Sequence, residues 1–458
     1  MGWELPKYEV IAEGKTKAVV RTEDGQVLLI YKNTITKHND PTATREFGAK
    51  AATSNATNTA LCTLLRDAGV PVAFIRQCDE TSFFSQPVRM LPLEVVIRRH
   101  GVGSYRKRHP DVPATDPPKR FDRLVVEFFL KTSRGLVQPY HRFSQPDNTE
   151  PDQLSAPVDI SEFIDDWNPD WEDPLIAMWE SCQLDTGLMI QHPKRPTWDS
   201  SPIVTTVSPS IAVPDISWTD EIEKLARQVF LVLEGAWRSL GYHFVDLKIE
   251  VGVTADGQLV VADVIDLDSC RLCDPSWREM SKENFRQGVD LEQVERDYIA
   301  VAQLATGLRI PSQTIVLWRG SYKDDWPDVS NFPVGSVSWR QITLSGHKQT
   351  AQCLAKLNEL ANISDGAILA LVGRSNGLGP VLAGNATLPV VTCPLTYDKF
   401  PDDISSSLRM PSELPLLTAW PASNALLAIA NILASRNPAL YAWLQGIRED
   451  NLVAKAEA

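Results

Sequence analysis

Apolar and polar positions alternate differently in the two ends of the chain. From the N-terminus to about Phe129, "VLLIYKN", "VPVAFIRQCD" and "MLPLEVVIRR" read as short strands. Between the first two, "REFGAKAATSNATNTALCTLLRDAG" reads as a helix closed by Gly69. "WTDEIEKLARQVFLVLEGAWRSLG" has helical spacing, with Thr219 as its cap, Glu221 and Glu223 in the first turn and Gly241 at the end. "SKENFRQGVDLEQVERDYIAVAQLATG" reads as one long connecting helix that stops at Gly307. Beyond Pro311 the strands become almost wholly apolar: "QTIVLWRGS", "GAILALVGRSNGLGP" and "LPVVTCP", followed by helical "SNALLAIANILAS". Runs of that kind suit a parallel sheet covered by helices on both faces.

The pattern therefore predicts an α+β domain over residues 1–288, a connecting helix over 289–310, a three-layer α/β domain over 311–448 and a tail over 449–458. Residues 131–173, rich in Pro, Asp, Asn and Ser, read as a surface insertion, and 192–217 as a second soft stretch. The net charge of −13 over 458 residues argues against a general nucleic-acid or membrane-surface binder. No run approaches 18 apolar residues, and "MGWELPKYEV" lacks a signal architecture. Seven irregularly spaced cysteines favour reduced thiols and a cytoplasmic location. Cys270 and Cys273 form a lone CxxC with no second pair to complete a zinc site.

Chemistry concentrates in "VDLKIEVGVTADGQLVVADVIDLDSCRL", which reads as a hairpin turning at Asp256-Gly257. With those two residues as the loop, Glu250 faces Asp263 on one side of the sheet. Two bare carboxylates at that spacing repel unless a cation lies between them, and Mg²⁺ is commonly held by one or two carboxylates plus substrate phosphates. Lys248 on the same face adds a phosphate-seeking ammonium. A solvated edge is the plainer alternative, but it gives Lys248 no purpose. "EGKTK", Glu13 to Lys17, sets a glycine beside two lysines in a form suited to phosphates, though it is not a Walker sequence. "EVVIRRHGVGSYRKRHP" crowds Arg98, Arg99, Ser104, Arg106, Lys107 and Arg108 around two glycines, a composition that suits a phosphate monoester.

At these residues the chain resembles the phosphoribosylaminoimidazole-succinocarboxamide synthetases. "EGKTK", "GAKAATSN", "PLEVVIRRHGVGSYRKR", "VDLKIEVG", "ADVIDLDSCRL" and "KENFR" match that family's blocks in order, over roughly residues 8 to 288. "GSYKD", "SGHK", "GRSNGLGPVLAGN", "LPVVTCP" and "SSLRMPS" resemble the aminoimidazole ribonucleotide carboxylases. This order is that of the animal-type fusion, whose carboxylase uses CO₂ without biotin or ATP. The resemblance implies an ATP-grasp-like synthetase fold followed by a flavodoxin-like parallel sheet. It implies an ATP- and Mg-dependent ligase that joins carboxyaminoimidazole ribonucleotide to L-aspartate through an acyl phosphate. By the same resemblance Lys15, Lys17 and Lys248 attend the nucleotide, and Glu250 and Asp263 the metal. Arg98, Ser104 and Arg271 hold the ribonucleotide phosphate, and Asp268 orients the imidazole. In the second domain Ser321, Asp324, Ser375 and Asn376 bind ribonucleotide, His347 and Lys348 are catalytic, and family members assemble as octamers.

The sequence also departs from the pattern. "FFLKTSRG" lacks the acids that follow this strand in the family, and an Asp-Pro arrives only at Asp173-Pro174. The carboxylase loop reads Arg319-Gly320-Ser321-Tyr322-Lys323-Asp324, with lysine for the family's second serine, and Gly346 stands for an alanine. Pro327 and Pro333 disfavour a long helix after that loop. His347 is the residue suited to moving a proton at the imidazole carbon. Two other readings stay open at this point: a relative repurposed to ligate another amine or acid, and a scaffold whose second domain serves as an assembly core.

Overall fold

A computed structural model describes residues 8–36, 44–132, 135–137, 157–163, 175–178, 188–191, 193, 209–214, 216–333 and 335–456. Most of the expected insertion, including Asp173, lies outside the described residues. The chain divides into two compact units, one formed largely by residues up to 308 and the other largely by 309–451.

The first unit contains two large antiparallel sheets. In one, five strands run in the order Tyr8–Glu13, Lys17–Thr22, Val27–Tyr31, Ser82–Ser85, Phe74–Gln77. In the seven-stranded other, Arg89–His100 lies between Arg120–Leu130 and His243–Val253. The free flank of His243–Val253 is shared: Cys270–Cys273 pairs with its first half and Leu259–Ala262 with its second. Leu247, Ile249 and Val251 on this strand are essentially unexposed, and the intervening residues carry its charges. Helix Trp218–Ser239 covers the sheet, with Phe230 meeting Phe244 at 4.9 Å.

Several expected boundaries shift. The helix expected from Arg45 begins at Lys50, because Thr44–Glu46 pairs with Thr34–Thr36 as a small ribbon. Ser217, not Thr219, is the residue before helix Trp218–Ser239; the Thr219 hydroxyl donates to the Ile216 carbonyl instead. Gly241 does follow the helix end in left-handed conformation, φ 82°. The single long connecting helix is two helices, Lys282–Arg286 and Leu291–Ala305, broken at Gly288 (φ 87°) and restarted by Asp290, whose carboxylate caps Glu292.

The hairpin register also differs from expectation. Glu250 pairs with Ala262, not Asp263. Thr254 and Gln258 close the turn, so the loop is Ala255–Asp256–Gly257, with Gly257 left-handed at φ 86°. A three-residue loop of this type moves the register by one relative to a two-residue turn. Asp263, Asp266 and Asp268 therefore lie in the loop between two strands rather than on a strand.

The second unit is a parallel sheet in the order Ser338–Thr343, Thr314–Arg319, Gly366–Val372, Val390–Pro394, Leu416–Thr418. Ile315, Leu317, Leu369 and Leu371 pack on one face against Leu426, Ile429 and Leu433 of helix Ala422–Ala434. Val316, Trp318, Ile368 and Ala370 pack on the other against Cys353, Leu357, Leu378 and Leu382. Both faces are buried, as the uninterrupted apolar runs require.

Candidate active sites

In the first unit, strand His243–Val253 presents Asp246, Lys248 and Glu250 at every second position. The Lys248 ammonium lies 2.7 Å from Glu94 and 3.3 Å from Glu250. Burial opposes its charge, but Glu94, Glu250 and Asp263 outweigh burial and hold its pKa above the ordinary lysine value. Glu250 is buried and also receives Lys131 at 2.6 Å.

Asp263 reaches the same group of charges by an unexpected route. Had the ladder continued past Ala262, a one-residue slip would have sent its side chain to the opposite face from Glu250. Instead Asp263 takes a left-handed backbone, φ 58°, and its carboxylate binds the Lys17 ammonium. Burial raises its pKa, yet Lys17, Lys248 and Lys131 together hold it below the ordinary aspartate value. The Glu13–Lys17 turn, closed by a bond from Gly14 N–H to the Lys17 carbonyl, is thereby fixed to the acidic loop. Lys15 on that turn is exposed, and its carbonyl accepts from Thr34.

Further along the loop, Asp268 accepts a 2.5 Å bond from Tyr298 and ion pairs from Lys50 at 3.1 Å and Lys282 at 3.3 Å. Burial resists its ionisation, but Lys50 and Lys282 dominate and keep it charged far below its ordinary value. Lys50 is 1% exposed, bonds Ser54 as well, and lies 5.0 Å from the Tyr298 ring centre. Asp266 between them goes the other way: burial and the Asp268 charge both raise its pKa.

The basic segment splits into two groups. Arg99 turns inward to Glu234, at 2.7 and 3.0 Å, and Arg108 to Glu127 and the Pro193 carbonyl. Arg98 is 4% exposed and places its three nitrogens on Glu127, Asp246 and Ser104. It braces Ser104 and, through Asp246, Arg271, which binds the same carboxylate. Arg106, Lys107 and Arg271 line an open cavity of about 440 Å³, together with Gly103, Glu279 and Glu283. Neither Arg98 nor Ser104 lines it.

Among the described residues no three carboxylates, histidines or cysteines gather into a metal-binding group. Glu250 and Asp263 answer to the same ammonium groups, Lys248 and Lys131, and so can contribute two oxygens at one place. That donor set fits Mg²⁺ only in company with phosphates, which is its usual mode. Cys270 and Cys273 are both buried free thiols, and burial pushes Cys273 up to about 12, leaving it a poor nucleophile at neutral pH.

In the second unit the predicted residues gather in turns that follow strand C-terminal ends, where open α/β sheets bind ligands. Ser321 and Asp324 follow Thr314–Arg319; the Ser321 hydroxyl accepts from Lys323 N–H, and burial raises the Asp324 pKa. His347 and Lys348 follow Ser338–Thr343 and are exposed. Ser375 and Asn376 follow Gly366–Val372. Ser375 is exposed, whereas the Asn376 amide is buried, accepting from Gly379 N–H at 2.7 Å and donating to Ser407 at 3.0 Å. Two glycines let these turns meet: a Cβ on Gly377 would lie 2.3 Å from the His347 ring, and one on Gly346 2.5 Å from the Gly377 carbonyl. Arg319 spans the first turn, bonding Thr343 and the Asp324 carbonyl, with its guanidinium 4.4 Å from the Trp326 ring centre.

The SAICAR synthetase model matches residues 10–142 and 205–304, and the AIR carboxylase model residues 332–452. The Drosophila melanogaster bifunctional phosphoribosylaminoimidazole carboxylase/phosphoribosylaminoimidazole succinocarboxamide synthetase is 30% identical over 100% of this chain and 95% of its own length. The chain belongs to this family. The human bifunctional protein is 30% identical over 94% of this chain and 92% of its own. A phosphoribosylaminoimidazole-succinocarboxamide synthase of Chloroflexus aurantiacus is 30% identical over 64% of this chain and 95% of its own. Among solved structures, a type-2 SAICAR synthetase in complex with ADP is 23% identical, with TM-score 0.46 over 66% of this chain and 99% of that one. Treponema denticola PurE is 22% identical, with TM-score 0.29 over 32% and 95%.

Sequence reasoning passed over Lys50, Lys131, Glu94 and Tyr298. A signal existed for Lys50 alone: it is the one cation in "GAKAATSNATNTAL", among small residues that a buried helix face would carry.

Proposed function

We propose that the first unit is an ATP-dependent carbon–nitrogen ligase, with an ATP-grasp-like arrangement, that joins carboxyaminoimidazole ribonucleotide to L-aspartate. The second unit is its fused aminoimidazole ribonucleotide carboxylase. The observation that carries the ligase reading is the Lys17–Asp263 ion pair, which ties the phosphate-type turn to the Lys248 and Glu250 strand.

A carboxylate resists attack by an amine because its leaving group would be oxide. Phosphorylation supplies a better one. The imidazole carboxylate oxygen attacks the γ-phosphorus of ATP and ADP departs. The aspartate amine then adds to the acyl phosphate carbon, phosphate leaves, and the nitrogen loses a proton. Lys17 and Lys248 neutralise the transferring phosphoryl charge, with Lys15 at the mouth of the turn. Mg²⁺ on Glu250 and Asp263 would supply Lewis-acid neutralisation of the same phosphates. Asp268, fixed by Lys50, Lys282 and Tyr298, orients the imidazole by accepting from its exocyclic amine. Arg106, Lys107 and Arg271 hold the ribose phosphate, with Arg98 and Ser104 bracing them.

In the second unit His347 carries the proton exchanged with CO₂ at the imidazole carbon, and Lys348 lies beside it. Ser321, Asp324 and Ser375 receive the ribonucleotide, with Asn376 keeping its loop in place. Assembly through this unit into an octamer and a cytoplasmic location complete the reading; no helix among the described residues is long and apolar enough to cross a membrane.

The test is ADP release by purified protein given ATP, Mg²⁺, the carboxylated ribonucleotide and L-aspartate. Turnover dependent on all four supports the ligase. Silence with this set and turnover with another amine or acid refutes the substrate assignment.

A further inference from the structure

The 440 Å³ cavity is not uniformly basic. Arg106 and Lys107 come from helix Ser104–Arg108 and Arg271 from strand Cys270–Cys273, but Glu279 and Glu283 line the cavity with them. Glu283 is committed: it receives Arg271 at 3.4 Å and Arg286 at 3.2 Å. Glu279 has no basic partner within ion-pairing distance among the described residues. Its Oε1 takes two bonds from Ser281, the hydroxyl at 2.5 Å and the N–H at 3.2 Å, and no donor is seen on Oε2. An acid placed in a phosphate-type pocket without a cation of its own works against the pocket's apparent purpose, and its position therefore calls for an explanation.

We propose that Glu279 is the selectivity residue of this cavity, limiting the anionic charge it accepts to that of a phosphate monoester. The ligand's identity rests on the ligase reading above; the charge limit rests on the cavity itself. The three cations suffice for a monoester dianion beside the committed Glu283. A pyrophosphate-bearing nucleotide brings more charge into the same space and meets the Glu279 carboxylate. The ligase uses one nucleotide of each kind, so a pocket that refuses the polyphosphate prevents ATP from occupying the ribonucleotide position.

The groups that face Glu279 decide when it carries its charge. Burial raises its pKa most; Ser281 and Arg271 lower it, and Asp246 behind Arg271 raises it again, leaving it at about 7. Cys273 on the adjoining strand stays a thiol, and Lys107, Arg106 and Glu283 complete the ring. The limit accordingly tightens as the pH rises through neutrality.

Titration calorimetry of the full chain tests this with two probes, sulfate, whose charge is constant over the range, and inorganic pyrophosphate. Wild-type protein should lose about fivefold in sulfate affinity at this cavity between pH 6 and pH 8, for one pKa unit of interaction on a group at about 7. Glu279→Gln should remove that slope and gain pyrophosphate affinity, while Glu279→Asp should keep a slope. Arg271→Gln, which removes a cavity cation, identifies the component that belongs here and not to the Lys17 turn. An unchanged slope in Glu279→Gln, or pyrophosphate binding that ignores the substitution, overturns the proposal. The ADP-release assay judges the reaction independently: an inert protein with a Glu279-dependent slope loses the reaction and keeps the charge limit.

Discussion

Gly103→Ala is the substitution whose consequence is most directly computed from the geometry. Gly103 has φ 59°, and a Cβ there would lie 2.8 Å and 3.0 Å from the two terminal nitrogens of Arg271. With ψ at −134° this is a backbone region essentially reserved for glycine, and an alanine there costs about 1–3 kcal/mol. The steric contact itself is cheap to relieve, because a guanidinium at the end of a long side chain can retreat. The retreat loosens the Arg271 bond to Asp246, and a hydrogen bond between charged groups contributes about 1.5–3 kcal/mol. Asp246 keeps Arg98, so no carboxylate is stranded and the larger penalty of an uncompensated buried charge does not apply. The sum is roughly 4 kcal/mol of stability. Gly257→Ala is the control: it has φ 86° and nothing within 4 Å of its would-be Cβ, so only the backbone cost should appear. Equilibrium urea unfolding reads the difference between the two variants. Steady-state kinetics at saturating ATP and aspartate should show the ribonucleotide KM of Gly103→Ala raised about tenfold or more with kcat little changed, since Arg271 is assigned to ground-state holding. Equal destabilisation by the two alanines, with an unaltered ribonucleotide KM, would show that Arg271 does not hold the phosphate.

Three other outcomes follow from single contacts. Lys50→Met should lower stability by about 1.5–3 kcal/mol in urea unfolding, because it removes one charged partner of Asp268, which keeps Lys282 and Tyr298, and takes away the donor to Ser54. Gly346→Ala should destabilise the second unit by about 2–4 kcal/mol in thermal unfolding, since its Cβ would meet backbone atoms at 2.5 Å that have nowhere to go; a native melting profile would contradict the close approach of the two turns. Burial, then Arg120, Arg99 and His243, lower the His100 pKa to about 4, so the stability it contributes is full above pH 6.5 and is lost as the pH falls toward 4. The gap corresponds to roughly 3 kcal/mol, and His100→Leu should remove that part of the acid sensitivity when unfolding free energies of variant and wild type are subtracted pH by pH.

The three inner strands of the second unit were legible from sequence, because burial on both faces leaves each an uninterrupted apolar run, whereas the edge strands Ser338–Thr343 and Leu416–Thr418 are part exposed and left none. Thr314–Arg319, Gly366–Val372 and Val390–Pro394 fall inside the three runs that announce them. The first unit was less so. Its helix breaks depend on single residues, Gly288 and Asp290, whose neighbours continue the helical spacing without interruption. The basic segment could be read for charge but not for direction. Arg98, Arg99 and Arg108 point into the protein because Glu127 and Glu234, distant in sequence, are there to receive them.

Asp263 shows that a slipped register need not separate two acids from the same cations. Expectation placed it opposite Glu250 by counting across a two-residue turn; the real turn has three residues, and Ala262 takes that place. A strict period of two would then have separated the acids onto opposite faces and removed any shared cation. The chain instead leaves the ladder at Asp263, in a left-handed conformation that few residues other than glycine, asparagine and aspartate accept without strain, and Lys17 receives the carboxylate. An alanine there would lose the charge and carry the backbone cost, whereas asparagine would keep the turn and lose only the charge. The two substitutions separate the backbone demand at Asp263 from the charge that Lys17 binds.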